Sequence, residues 1–102
     1  MREVDLGSVL HLDELSGWAA AERAAGRRIA FSNGCFDIVH TGHLFSLAEA
    51  ARQADSLLVA VNADASVRAL KGHGRPLVPQ QHRAALIAAL RPVAAATIFD
   101  AP

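Results

Sequence analysis

Apolar residues recur along this chain in blocks whose spacing alternates between that of helices and that of buried strands. Leu12, Leu15, Trp18, Ala19 and Glu22 repeat at helical intervals and predict a helix over 13–25, with Gly26 as its stop. Ile29-Ala30-Phe31-Ser32 follows as a short apolar strand, and Asn33-Gly34 is expected to break it. Leu44, Leu47, Ala48 and Ala51 form one stripe of a second helix running from about Gly42 to Gln53. Leu57 to Val61 is apolar at every position, the mark of a strand covered on both faces of a parallel sheet. A short helix to about Leu70 comes next, then a basic loop with two glycines, Lys71-Gly72-His73-Gly74-Arg75-Pro76. A further helix begins at Pro79 or Gln80 and ends at Pro92, and Val93 to Phe99 reads as a third strand. Strands alternating with helices predict right-handed crossovers and a parallel α/β sheet, whose ligands lie beyond the carboxyl ends of the strands. Asn33-Gly34 and Asn62-Ala63-Asp64 both fall at such ends.

Composition narrows the picture without naming a ligand. The 102 residues suit one domain; 52% are hydrophobic, and 10 basic side chains balance 10 acidic ones. With no basic stripe, nothing points to nucleic acid, so any anion site must be local. Cys35 is the sole cysteine, which excludes an internal disulfide and fits a reducing compartment. No apolar run reaches the roughly 20 residues that span a bilayer, and the N-terminus lacks the apolar core of a signal peptide. A soluble, cytoplasmic protein is expected.

Chemistry concentrates at His40-Thr41-Gly42-His43, where a helix is expected to start. The first turn of a helix presents unpaired N–H groups and about half a positive charge, so anions gather there. Gly42 lets a phosphate approach the backbone, and two imidazoles three positions apart can both face it. The pattern reads as a nucleotide site. A thiol nucleophile at Cys35 and a zinc site at His40, His43, His73 and His82 are the other chemistries on offer; the histidines lack a metal-binding spacing, so no metal ligands are assigned.

Asn33-Gly34-Cys35-Phe36-Asp37-Ile38-Val39-His40-Thr41-Gly42-His43 resembles the signature of the cytidylyltransferase-like, His-x-Gly-His nucleotidyltransferases. Asn62-Ala63-Asp64-Ala65-Ser66-Val67, Leu70 to Pro76, and Arg83 with Leu86 through Leu90 look like one branch of that superfamily. That branch comprises adenylyltransferases acting on D-glycero-β-D-manno-heptose 1-phosphate. The resemblance implies a Rossmann-like parallel sheet and transfer of AMP from ATP, with Mg2+, to that sugar 1-phosphate. Pyrophosphate leaves, and a homodimer is the common assembly. The alternatives are a cytidylyltransferase acting on glycerol phosphate or a similar alcohol phosphate, and a nucleotide-binding fragment without catalysis.

By the same resemblance His40 and His43 contact the triphosphate, and neighbouring phosphates favour protonated imidazoles. Lys71 is expected to close on the phosphates from a flexible loop; Arg75 reads equally as a second such cation or as a solvated charge. Arg83 occupies a position used for the β- and γ-phosphates, with a surface arginine as its other reading. Asp64 reads as a ribose or magnesium ligand, or as the cap of its helix. Asn62, Cys35 and Phe36 complete the expected nucleotide-binding frame, in which Asn33 and Gly34 act through backbone amides. Asp37 is expected to shape its own loop by local backbone bonds, and Phe31 and Phe36 to pack. His82 departs from the family, where an acid often stands. Family members continue past the third strand with two more strands, a helix, a Lys-Gly-Gly-Asp segment and a Ser/Thr-rich motif. Residues 1–102 therefore read as one truncated domain, with the strand at Ile29 left as a bare edge.

Overall fold

The computed structural model describes residues 4–100. Its elements are β1 (Val9–Leu10), a 3₁₀ turn (Leu12–Glu14), α1 (Leu15–Ala24), β2 (Ile29–Gly34) and α2 (Thr41–Ala51), then β3 (Ser56–Asn62), α3 (Asp64–Lys71), α4 (Gln80–Ala88) and β4 (Ala95–Phe99). The strands form one parallel sheet in the order β1-β4-β3-β2.

β3 lies second from the β2 edge and is buried almost throughout, as its unbroken apolar run requires. Ala30 pairs with Leu57, and Val59 with Ala96, so these residues share one face of the sheet. Leu47 of α2 and Ala84, Ile87 and Ala88 of α4 pack against them in a single buried cluster. Small alanines on α4 let that helix approach the strands closely. At the end of α1 the chain reverses through Gly26, whose φ of +78° is the left-handed conformation glycine adopts without penalty.

Five features depart from the pattern read in the sequence. β1 was not foreseen, because two residues are too few to show a period; it is fastened by the Thr97 hydroxyl, which donates to the Leu10 carbonyl at 2.7 Å. The helix expected from Asp13 opens as a 3₁₀ turn, where the Glu14 carboxylate accepts the His11 N–H at 2.8 Å. Asn33-Gly34 does not break β2; both residues pair in register with Ala60 and Val61. Lys71 is the last residue of α3 rather than part of the loop. Phe31 is 61% exposed and not packed inside, since β2 is an edge of the described sheet.

Candidate active site

The carboxyl end of β2 opens onto a cavity of about 550 Å³. His40, His43, Asn33, Gly34, Cys35, Phe36, Lys71 and Arg75 line it, which brings together eight of the residues singled out in the sequence. Gly42, Asn62, Asp64 and Arg83 do not line it. Ser46 and Ser32 do, although neither was anticipated. Ser46 follows His43 by three positions on α2, so helical spacing alone marks it as a neighbour of the imidazole.

The two histidines are held by the helix start they occupy. His40 is the N-cap of α2, with extended backbone (φ −138°), and its Nδ1 accepts the Gly42 N–H at 3.0 Å. His43 Nδ1 accepts the His40 N–H at 3.2 Å. The rings lie 4.1 Å apart, tilted by 31°, and the Phe36 ring meets His43 edge-on at 5.4 Å. With Nδ1 accepting in both, a neutral imidazole must carry its proton on Nε2, so each ring offers one N–H donor from its far side. A Cβ on Gly42 would stand 2.7 Å from His40 Cε1 and 2.9 Å from its Nδ1, so the ring rests on space that only glycine leaves.

These bonds alter the expected means of anion binding. Gly42 N–H goes to His40 Nδ1, and His43 and Leu44 N–H go to the His40 carbonyl at 3.0 and 3.2 Å. The Gly42 and His43 N–H groups are therefore engaged within the motif itself, and the imidazoles are the polar groups it presents to the cavity. Burial, then the charges of His40 and Lys71, hold His43 below the ordinary histidine pKa, so the unliganded site favours the neutral ring rather than the imidazolium.

Arg83 lies beneath the cavity rather than on the surface. Its side chain is fully buried. Nε donates to the Val78 carbonyl at 2.7 Å, Nη1 to the carbonyls of Cys35 and Asn62 at 2.7 and 2.6 Å, and Nη2 to Asp64 Oδ1 at 2.7 Å. One guanidinium thus ties the end of β2, the end of β3 and the starts of α3 and α4. Both sequence readings of Arg83, phosphate ligand and surface charge, give way to this one. The reading of Asp64 as a cap also fails: Ala63 is the N-cap of α3, and the Asp64 carboxylate is turned to Arg83.

Asp37 is buried as well, and its partners are not local. It accepts the N–H groups of Leu77 and Val78 and a donor from Arg75. Burial pushes its pKa up, but those amides and the Arg75 charge outweigh it and hold the carboxyl below its usual range.

The chain, a parallel sheet with two histidines and two cations around a cavity at its carboxyl edge, belongs to the cytidylyltransferase-like family, whose pattern matches residues 31–101. Its relatives include the bifunctional protein HldE of Geobacter sulfurreducens, 47% identical over 90% of this chain, and that of Azorhizobium caulinodans, 46% identical over 92%. The Alcanivorax borkumensis protein of the same name is 54% identical over 76%. The chain spans about a fifth of the length of these relatives, from 16% to 20%. Among solved structures, the lipopolysaccharide core biosynthesis protein of Thermoplasma volcanium superposes with a TM-score of 0.65 at 32% identity, over 72% of this chain and 59% of that one. No helix among the described residues is long and apolar enough to cross a membrane.

Proposed function

We propose that this cavity carries adenylyl transfer from ATP to D-glycero-β-D-manno-heptose 1-phosphate. A sugar phosphate oxygen bonds to the α-phosphorus of ATP, the bond from that phosphorus to the bridging oxygen breaks, and pyrophosphate leaves with the electron pair. The attacking oxygen is already ionised at neutral pH, so the site needs no strong base. Its task is to hold two anions in line and to stabilise charge on the leaving group.

The observation that carries this reading is the locked pair of imidazoles lining the cavity. Each Nδ1 is engaged by a backbone N–H, which leaves Nε2–H as a donor of fixed direction for phosphate oxygens. Lys71 supplies a mobile point charge, and Arg75 a planar fork suited to phosphate. Phe36, Gly34, Cys35 and Asn33 form the wall behind the phosphates. Asn62, Asp64 and Arg83 serve by supporting that wall from outside the cavity.

Asp64 Oδ1 is committed to Arg83 at 2.7 Å, and no cluster of three metal-binding side chains exists among the described residues. Magnesium is proposed to arrive on the phosphates of ATP, as is usual for this ion. Cytoplasmic location and a homodimer are proposed on the family resemblance.

Pyrophosphate release tests the reaction. ATP with heptose 1-phosphate should turn over, and CTP with glycerol phosphate should not. The opposite pattern would make the protein a cytidylyltransferase, and nucleotide binding without any product would make it a binding module. His43→Ala should lower kcat by about 10²–10³ while nucleotide affinity changes only a few-fold.

A further inference from the structure

Asp37 joins two walls of the cavity that are far apart in sequence. Its side chain is 3% exposed. Oδ1 accepts the Leu77 N–H at 2.8 Å and the Val78 N–H at 3.0 Å. Oδ2 accepts Arg75 Nη1 at 3.0 Å, and the Leu77 N–H again at 3.0 Å. Arg75 itself stays 42% exposed at the cavity, with one donor of its fork tied back to the carboxylate. A buried carboxylate with this many donors is a fixed point, and the arginine hung on it loses most of its freedom.

We infer that Asp37 is a positioning residue for the phosphate site: it holds the Arg75 guanidinium and the Leu77–Val78 backbone against the cavity so that Arg75 meets the polyphosphate in one orientation. The inference rests on the reading of the cavity given above. It carries a consequence of opposite sign in binding and in rate. The negative charge of Asp37 opposes the attraction of an anion to the cavity, while the orientation it imposes helps the transition state. A purely structural acid would harm both when removed.

Asp37→Asn separates the two effects. The amide oxygen keeps the Oδ1 position, which accepts both backbone N–H groups; what is lost is Oδ2, with the charged partner of Arg75 and the second, longer bond from the Leu77 N–H. Expected is a kcat roughly 10–100-fold lower, the scale of a misplaced binding group, with a KM for ATP unchanged or reduced. In an Arg75→Gln background the same substitution should add almost nothing, because its effect passes through Arg75. Asp37→Ala, which removes every acceptor, should also speed hydrogen exchange at the Leu77 and Val78 amides.

An Asp37→Asn protein with normal kcat, one with raised KM alone, or full additivity with Arg75→Gln would overturn the assignment. NMR relaxation of the Arg75 Nε–H in ligand-free protein separates this failure from failure of the proposed reaction. Absence of pyrophosphate from the unaltered protein would sink the reaction. An Arg75 side chain equally mobile with Asp37 and with Asn at that position would sink the role of Asp37.

Discussion

Replacing Arg83 by methionine is the sharpest test of how the site is supported. The guanidinium is fully buried and donates to four acceptors, at 2.6 to 2.7 Å: the carbonyls of Val78, Cys35 and Asn62 and the Asp64 carboxylate. A hydrogen bond from a charged group contributes about 1.5–3 kcal/mol, but the four share one donor group and are not additive. The better guide is the roughly 3–5 kcal/mol lost when one partner of a buried ion pair is removed. Methionine fills much of the vacated volume, so the loss comes from stranded acceptors rather than from a void. Asp64 is 35% exposed and recovers some hydration, which places the expected loss near the lower end, about 3 kcal/mol. A domain of this size has roughly 5–15 kcal/mol in all, so the melting point should fall by about 12–24 °C. Arg83→Lys keeps the charge but gathers its donors at one point and cannot reach four separated acceptors, so it should recover only part. Urea unfolding followed by circular dichroism measures both variants. An Arg83→Met protein within about 1 kcal/mol of the unaltered chain would refute the account. Normal stability combined with lost turnover would return Arg83 to the phosphates.

Two further predictions concern the histidine motif. Gly42→Ala should leave stability within about 1 kcal/mol of the unaltered chain, since the helix preference of alanine is offset by loss of the His40 cap bond, while kcat/KM falls at least roughly tenfold as the new Cβ drives out the His40 ring, 2.7 Å away; unchanged kinetics would show that the ring has room to move. His43 should titrate below the ordinary histidine value in an NMR titration, because burial first, and then His40 and Lys71, oppose its protonation. The unfolded chain then binds the proton more readily, so the His43 contribution to stability is complete above about pH 6.5 and is lost as pH falls from there toward the folded value; a midpoint above the ordinary value contradicts this.

What the sequence made legible follows from the range of each interaction. α2 and β3 were readable because helical spacing and an unbroken apolar run are local properties, and the bonds that set His40 and His43 span two and three residues. β1 was not, because its two residues acquire their identity from β4, more than eighty positions away. The basic residues divide along the same line. Lys71, Arg75 and Arg83 look alike as charges on either side of a loop, and only burial distinguishes them. Arg83 reaches acceptors 48, 21, 19 and 5 positions distant, and Asp37 reaches donors 38 to 41 positions on. No period or motif encodes such pairings.

That division has a functional consequence. The imidazoles are oriented by their own helix start, whereas the cations facing them are placed by α3 and by a segment that Asp37 and Arg83 anchor. Arg83 bonds the carbonyls of Cys35 and Val78, and Asp37 bonds the amide of that same Val78, so the two buried charges share one stretch of backbone. Loosening either one moves Arg75 relative to the histidines while the histidine motif itself stays intact. Sensitivity of the proposed nucleotidyl transfer to these two residues, neither of which needs to touch the substrate, is therefore built into the way the sheet end is tied.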